Sequence, residues 1–332
     1  MEKITIELLA QKLNLSKSTI SRAFRDSFDI NPKTKQRILE AAKELDFEPN
    51  PIAKSLREKK TQRIGVIIPS FTIPFYAQAI CGIQEIASKE GYSLLICQSD
   101  ESYEAEMQNV KSLLNSRVDG IIMSLTTETT QYKHILQLHK KDIPVVLFNR
   151  VIDIPNTSKV LVDDYDSSYK MTEYLISRGY KNIIYIAGPK NLMLASTRLK
   201  GFRNAMYVGK IELSEDSIFY GDFSIESGFK CAEEILRKVK PDAIFCSCDN
   251  VAFGVIKYLK KRGVSVPGDI AVAGYTDEPF AALIDPALTT IRQPIHEIGE
   301  TAAQLLIKKL KYPYSKPEVK VLPTELIIRE ST

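Results

Sequence analysis

The sequence predicts an α/β protein in two parts: an N-terminal all-α helix-turn-helix headpiece and a body of two parallel-sheet α/β subdomains. Three observations carry this prediction. The chain has 332 residues, more than twice the ~150 usual for one domain, with 44% hydrophobic and 26% charged residues, an ordinary globular composition. From residue 63 onward, short apolar runs alternate with amphipathic stretches. The charge is lopsided: residues 1–60 hold 13 Lys and Arg against 9 Asp and Glu, whereas the rest is balanced, so the net charge of +4 lies in the first sixth. Seven basic residues fall between Lys12 and Arg37 against Asp26 and Asp29, which points to a polyanion partner for that module. A merely solvated basic surface is the plainer alternative.

Three helices read out of the first fifty residues. Thr5 caps the first, with Glu7 in its first turn and Ile6, Leu9, Ala10 and Leu13 at i, i+3, i+4 and i+7. Asn14, which tolerates the left-handed conformation, ends it. Ser16 caps a second helix from Lys17 to about Arg25, with Ile20, Ala23 and Phe24 on its apolar side. Its other face carries Lys17, Ser18, Ser21, Arg22 and Arg25, with no acidic residue among them. Asn31 caps a third helix, Pro32 takes its first position, and Ile38, Ala41, Ala42 and Leu45 form its buried side. Two helices joined by a tight turn and braced by a third make a helix-turn-helix unit, whose second helix fits the DNA major groove. A three-helix bundle with a basic surface would read the same way.

In the body, strands are expected at 64–68, 92–97, 118–124, 145–148, 182–187, 243–246, 270–274 and 322–329. Helices are expected at 76–89, 104–115, 167–178, 224–238 and 251–262. Near-continuous apolar strands alternating with helices indicate parallel sheets covered on both faces, and roughly 270 residues suit two such sheets. Ligands of open α/β sheets bind at the carboxyl ends of the strands, so a cleft between the sheets is the expected site.

The remaining classes are excluded by what the sequence lacks. Apolar runs such as 64–69 are far too short to span a bilayer, and the first residues show no basic segment followed by an apolar one. Five cysteines (Cys81, Cys97, Cys231, Cys246 and Cys248) make no disulfide framework. A soluble cytoplasmic protein is the expectation. Gly-x-Gly-x-x-Gly, the Walker-type phosphate loop and Gly-x-Ser-x-Gly are all missing. His296-Glu297-Ile298-Gly299-Glu300 starts like a zinc-protease helix, but Glu300 stands where the second histidine belongs, so it reads as the polar start of the last helix. Cys246 and Cys248 read as two small buried residues at a strand end. No catalysis, cofactor or metal is expected.

The segments Ile4-Thr5-Ile6-Glu7-Leu8-Leu9-Ala10, Leu15-Ser16-Lys17-Ser18-Thr19-Ile20-Ser21-Arg22-Ala23, Lys33-Thr34-Lys35-Gln36-Arg37-Ile38 and Leu45-Asp46-Phe47-Glu48-Pro49-Asn50 resemble the DNA-binding headpiece of the lactose-repressor/galactose-repressor family of bacterial transcriptional regulators. The resemblance continues through the whole chain. It implies a headpiece over 1–48, a hinge helix or linker over 49–60, and a periplasmic-binding-protein-like effector and dimerisation domain over 61–332. One subdomain would span about 61–162 plus 293–322, the other about 163–292 plus 323–332. Thr5, Ser16, Lys17, Ser18, Thr19, Ser21, Arg22, Arg25, Asn31, Lys33 and Thr34 would meet operator DNA, Lys17 and Ser18 in the base-reading positions. Arg25 departs from the family's common asparagine. The hinge pattern Asn-x-x-Ala-x-x-Leu appears as Asn50, Ala53 and Leu56, with Lys54, Arg57, Lys59 and Lys60 available for phosphates. In the family this helix forms on DNA, pairs with its dimer mate and wedges the leucine into a minor-groove step.

The same resemblance implies effector-binding residues. Phe75 and Tyr76 match the family's aromatics beside the cleft, with core packing as the alternative for each. Asn149 and Arg150 follow a strand, and Asp163 and Asp164 follow another and would accept from ligand hydroxyls. Arg198, in Arg-x-x-Gly-Phe, is the leading effector contact, with a structural ion pair as its competing role. Phe223 would shelve the ligand. Asp249 matches Asn-Asp-x-x-Ala, but Cys248 replaces the asparagine; Thr276 replaces the first aspartate of Gly-[Tyr/Phe]-Asp-Asp, leaving Asp277. Gln293 matches well in either a binding or a structural role.

These readings predict a repressor that binds double-stranded, pseudo-palindromic operator DNA as a homodimer under the control of a small-molecule, sugar-like effector. A regulator governed by a protein partner, as in catabolite control, is the first rival. A solute-binding protein is a weaker one, having no use for the headpiece. Operator binding should depend steeply on salt. With no heptad tail after residue 329, the assembly should stop at the dimer. Leu56→Ala should weaken operator binding and spare effector binding.

Overall fold

The computed structural model describes residues 5–24, 30–47 and 60–332. They form two compact units divided between Gln62 and Arg63. Arg25 and the hinge residues Asn50, Ala53, Lys54, Leu56 and Arg57 lie outside the described residues.

The first unit holds α1 (Ile6–Leu13), α2 (Lys17–Ala23) and α3 (Pro32–Glu44). Each helix begins where its cap residue stands. The Thr5 side chain accepts from the Leu8 N–H at 3.3 Å, Ser16 from Thr19 at 3.1 Å and Asn31 from Lys33 at 2.9 Å. Asn14 closes α1 at φ 53°. Leu9, Leu13, Ile20, Ala23, Ile38, Ala42 and Phe47 form the core. α2 ends with Phe24 as its C-cap residue, still in helical backbone conformation, and the Phe24 ring packs 5.6 Å from that of Phe47.

In the second unit, β1 (Arg63–Ile68), α4 (Pro74–Lys89), β2 (Ser93–Gln98), α5 (Tyr103–Asn115), β3 (Gly120–Met123), α6 (Lys133–His139), β4 (Val145–Phe148) and β5 (Ser158–Val162) build one layer system. α7 (Asp164–Ser177), β6 (Ile183–Ala187), α8 (Met193–Val208), β7 (Ile218–Tyr220), α9 (Ile225–Lys238), β8 (Ala243–Cys246), α10 (Asp249–Lys261) and β9 (Ala271–Ala273) build a second. The chain then returns through β10 (Thr290–Arg292), α11 (Ile295–Lys311), β11 (Val319–Leu322) and β12 (Glu325–Ile327). The first sheet runs β11-β5-β4-β3-β1-β2 and the second β7-β6-β8-β9, with every neighbour parallel. β3, β4, β6 and β8 are buried at every residue, because helices cover both faces of each sheet.

The expected strand over 322–329 is a correction. It divides: Leu322 ends β11 in the six-stranded sheet, and Glu325 begins β12, which pairs antiparallel with β10. Pro323 lies between them and has no N–H to continue a ladder. α4 and α11 cover one face of the first sheet and meet backbone to backbone. A Cβ on Gly82 would stand 2.1 Å from the His296 carbonyl oxygen, and one on Gly299 2.0 Å from that of Ala79.

Candidate functional site

On the headpiece, Lys17, Ser18, Arg22, Asn31 and Lys33 are exposed, and Thr19, Ser21 and Thr34 are half-buried. Thr5, Ser16 and Asn31 spend their side-chain oxygens on the caps. The Ser18 hydroxyl lies 2.7 Å from that of Ser16, and Thr19 Oγ1 lies 2.8 Å from it. Arg22 Nε donates to the Ser18 carbonyl at 3.4 Å. The face of α2 is free of acid along the chain but not in space. Glu7 reaches across from α1 to Lys17 at 2.6 Å, and that hydrogen bond lowers the Glu7 carboxyl below its ordinary range.

In the body, a cleft opens between the two sheets. Its walls come mostly from the loops and helices that follow the carboxyl ends of parallel strands, the expected place for ligands. β1 leads to Ile73, Phe75 and Tyr76, and β4 leads to Asn149 and Arg150. α8 supplies Leu194 and Arg198, and the exit of β7 supplies Phe223. β8 leads to Cys248 and Asn250, β9 to Thr276 and Glu278, and β10 to Gln293. Eight of the expected effector residues therefore border one space: Phe75, Tyr76, Asn149, Arg150, Arg198, Phe223, Thr276 and Gln293.

The two arginines are already engaged. Arg150 is 4% exposed, and its Nη1 donates to both Glu101 carboxylate oxygens at 2.7 and 2.8 Å. Its guanidinium also stands 5.4 Å from the centre of the Phe223 ring. Arg198 is 3% exposed; Nε donates to Asp164 at 2.7 Å and Nη1 to the Ser247 carbonyl at 2.8 Å. Its guanidinium lies 3.6 Å over the Tyr275 ring, and the Tyr275 hydroxyl donates to the same Asp164 oxygen at 3.0 Å. The competing role for Arg198, a structural ion pair, is thus present together with its position on the cleft.

Three expected contacts are corrected. Asp164, Asp249 and Asp277 do not line the cleft. They hold its walls instead, because each carboxylate is turned toward protein donors. Asp164 takes Arg198, and its neighbour Asp163 caps α7. Asp249 is fully buried and accepts from Thr290 Oγ1 at 2.6 Å and from the Glu278 N–H at 2.7 Å. Asp277 pairs with Arg292 and Arg329, each at 2.7 Å. These bonds support a strained turn in which Thr276 has φ 138° and Asp277 φ 60°. The turn presents Thr276 and Glu278 to the cleft. Gln293 Nε2 donates to Thr276 Oγ1 at 3.3 Å across the same wall.

Sequence reasoning missed Ile73, Leu194, Cys248, Asn250 and Glu278 as lining residues. Cys248 also departs from expectation: Cys246 is buried in β8, whereas Cys248 is half-buried beyond it as the N-cap residue of α10. Its thiol is pushed up to about 12 by burial and stays neutral. The signal available for Asn250 and Glu278 was their place just beyond strand ends. Burial raises the Asp249 carboxyl to about 6, and burial with the neighbouring Asp249 charge raises Glu278 to about 7. Elsewhere, His296 and Glu300 at the polar start of α11 face Glu85 on the surface, an exposed trio of a common kind. Among the described residues no helix is long and apolar enough to cross a membrane.

Residues 61–330 match the family described as periplasmic binding proteins and sugar binding domain of LacI family, and residues 5–50 match the bacterial regulatory proteins, lacI family. The chain is 30% identical over 331 residues to catabolite control protein A of Priestia megaterium, covering 99% of each. It is 31% identical over 328 residues to the HTH-type transcriptional repressor PurR of Histophilus somni, covering 98% of each. Among solved structures, the lac repressor dimer bound to operator and the anti-inducer ONPF is similar with a TM-score of 0.88 at 25% identity, covering 100% of this chain and 99% of that one.

Proposed function

This chain belongs to the LacI family of bacterial regulatory proteins and is a DNA-binding transcriptional regulator; we propose that it is a cytoplasmic repressor, not an enzyme, whose operator affinity is set by a sugar-like effector held in the cleft. The observation that carries this reading is the cleft itself. Aromatic faces and polar groups from both sheets converge on one space at the strand ends, with Phe75, Tyr76, Asn149 and Arg150 on one side and Phe223, Asn250 and Thr276 on the other. A molecule touching both sides favours one arrangement of the two sheets over another, and that unequal affinity is what lets it bias DNA binding. The headpiece reads only a few base pairs, so two copies on a pseudo-palindromic operator supply the rest of the specificity. The expected contacts are Lys17 and Ser18 to bases, with Arg22 and Lys33 to phosphates.

The test begins with duplexes selected from a random pool by the full chain. The expected product is a two-fold symmetric site whose affinity falls steeply between low and physiological salt. Selection of no sequence, or an affinity indifferent to salt, refutes the DNA reading. A melting screen against sugars should then find one that stabilises the protein and changes its affinity for the selected site. If none does so while DNA binding holds, control by a protein partner replaces control by a sugar.

A further inference from the structure

In and behind the walls of the cleft, the buried acids Asp164, Asp249 and Glu278 outnumber the buried bases Arg150 and Arg198. Arg150 is matched by Glu101 and Arg198 by Asp164, each at 2.7 Å, and Asp277 is matched by Arg292 and Arg329. Glu278 has no cationic partner among the described residues. It is 6% exposed and borders the cleft. The Phe75 backbone N–H stands near enough to its carboxyl to oppose part of the effect of burial, while Oε2 is buried and receives no hydrogen bond. Behind it stands the fully buried carboxyl of Asp249, whose hydrogen bonds come from a hydroxyl and a backbone N–H, both neutral groups. On the same wall Gln293 Oε1 is also buried without a donor.

A buried carboxylate oxygen requires a donor, and two neighbouring carboxyls also require positive charge. The protein supplies neither at Glu278 Oε2, so the carboxyl is held partly protonated, and a cationic group bound in the cleft it borders would replace that proton. A neutral hydroxyl supplies the donor and leaves the charge uncompensated, whereas an ammonium supplies both. We propose that the effector is an amine-bearing sugar whose ammonium group is held by Glu278, with Gln293 Oε1 as a second acceptor. This rests on the reading of the cleft as a sugar site and narrows it to one class of sugar. The high proton affinity of the Glu278 carboxyl, raised to about 7, adds a signature. An ammonium stabilises the carboxylate, so binding at neutral pH releases protons from Glu278 to the buffer.

The experiment is titration calorimetry of the full chain at pH 7 with glucosamine, galactosamine and mannosamine, each against its parent hexose and its N-acetyl form. At least one amino sugar is expected to bind about tenfold or more tightly than both of its neutral counterparts. Its binding enthalpy should vary with the ionisation enthalpy of the buffer, reporting proton release. In Glu278→Gln the preference should collapse to within about threefold, and Glu278→Asp should keep part of it, which separates loss of charge from loss of fold. A hexose or N-acetyl sugar that binds as tightly as the amine overturns the proposal and leaves the sugar cleft standing. An amine preference that survives in Glu278→Gln overturns the role of Glu278. If none of these sugars binds, the proposal falls, and the melting screen against sugars at large decides separately whether the sugar reading falls.

Discussion

Replacing Arg198 by alanine is the most informative single perturbation of the body. The side chain is 3% exposed, and its removal takes away the Nε bond to Asp164 at 2.7 Å and the Nη1 bond to Ser247 at 2.8 Å. Asp164 is then left buried, with the Tyr275 hydroxyl at 3.0 Å as its side-chain donor. Breaking a buried ion pair from one side costs about 3–5 kcal/mol, because the surviving charge is uncompensated. At about 2–4 °C per kcal/mol for a domain of this size, the melting temperature should fall by roughly 6–20 °C. Calorimetric melting of the full chain at pH 7 reads this directly. The double variant Arg198→Ala with Asp164→Asn should regain part of the loss, since an amide keeps the acceptor for Tyr275 without the charge. Ligand response should disappear in the single variant as well, because the wall built by α7, α8 and β8 loses its clamp. A melting temperature within about 2 °C of the parent, with ligand response lost, would refute the structural account and leave Arg198 a ligand contact alone.

Three further outcomes follow from particular contacts. Glu278 and Asp249 sit at about 7 and about 6 in the fold against ordinary values of 4.5 and 3.8, so the folded state binds more protons than the unfolded chain between those limits. Their contribution to stability therefore falls as pH rises through that window. The difference in melting temperature between the parent and Glu278→Gln should shift in favour of the parent on going from about pH 7.5 to about pH 5.5, and a flat difference would contradict the burial argument. In the headpiece, Glu7→Gln frees Lys17 from its 2.6 Å partner. Because solvent and salt screen so exposed a pair, operator affinity measured by fluorescence anisotropy should rise by no more than a few-fold, with the gain shrinking at high salt; a fall in affinity would give Glu7 a positive role on DNA. Gly82→Ala puts a Cβ 2.1 Å from the His296 carbonyl oxygen and forces α4 and α11 apart. A loss of about 1–3 kcal/mol in chemical denaturation is expected, and a change below about 0.5 kcal/mol would mean the helix pair yields freely.

Features of this chain that depend on neighbours in sequence were legible in the sequence. The caps at Thr5, Ser16 and Asn31 act within three residues, and the turn at Asn14 needs nothing but its own backbone freedom. Strands such as β3, β4, β6 and β8 are apolar throughout because both their faces are covered, and that pattern is local too. What a carboxylate does is not local. Asp164, Asp249 and Asp277 looked alike as acceptors for a ligand, and each was claimed by a donor brought in from far along the chain: Arg198, Thr290, and Arg292 with Arg329. Glu278 acquires its character in the opposite way, through burial beside Asp249 with no donor brought to its Oε2. Likewise the acid-free face of α2 meets Glu7 in space, and the last apolar stretch divides at Pro323 between two sheets. Hydrogen bonding and backbone preference over a few residues are set by composition and order, whereas the charge felt at one buried oxygen is a sum over everything the fold packs around it. Only the tertiary structure decides that sum.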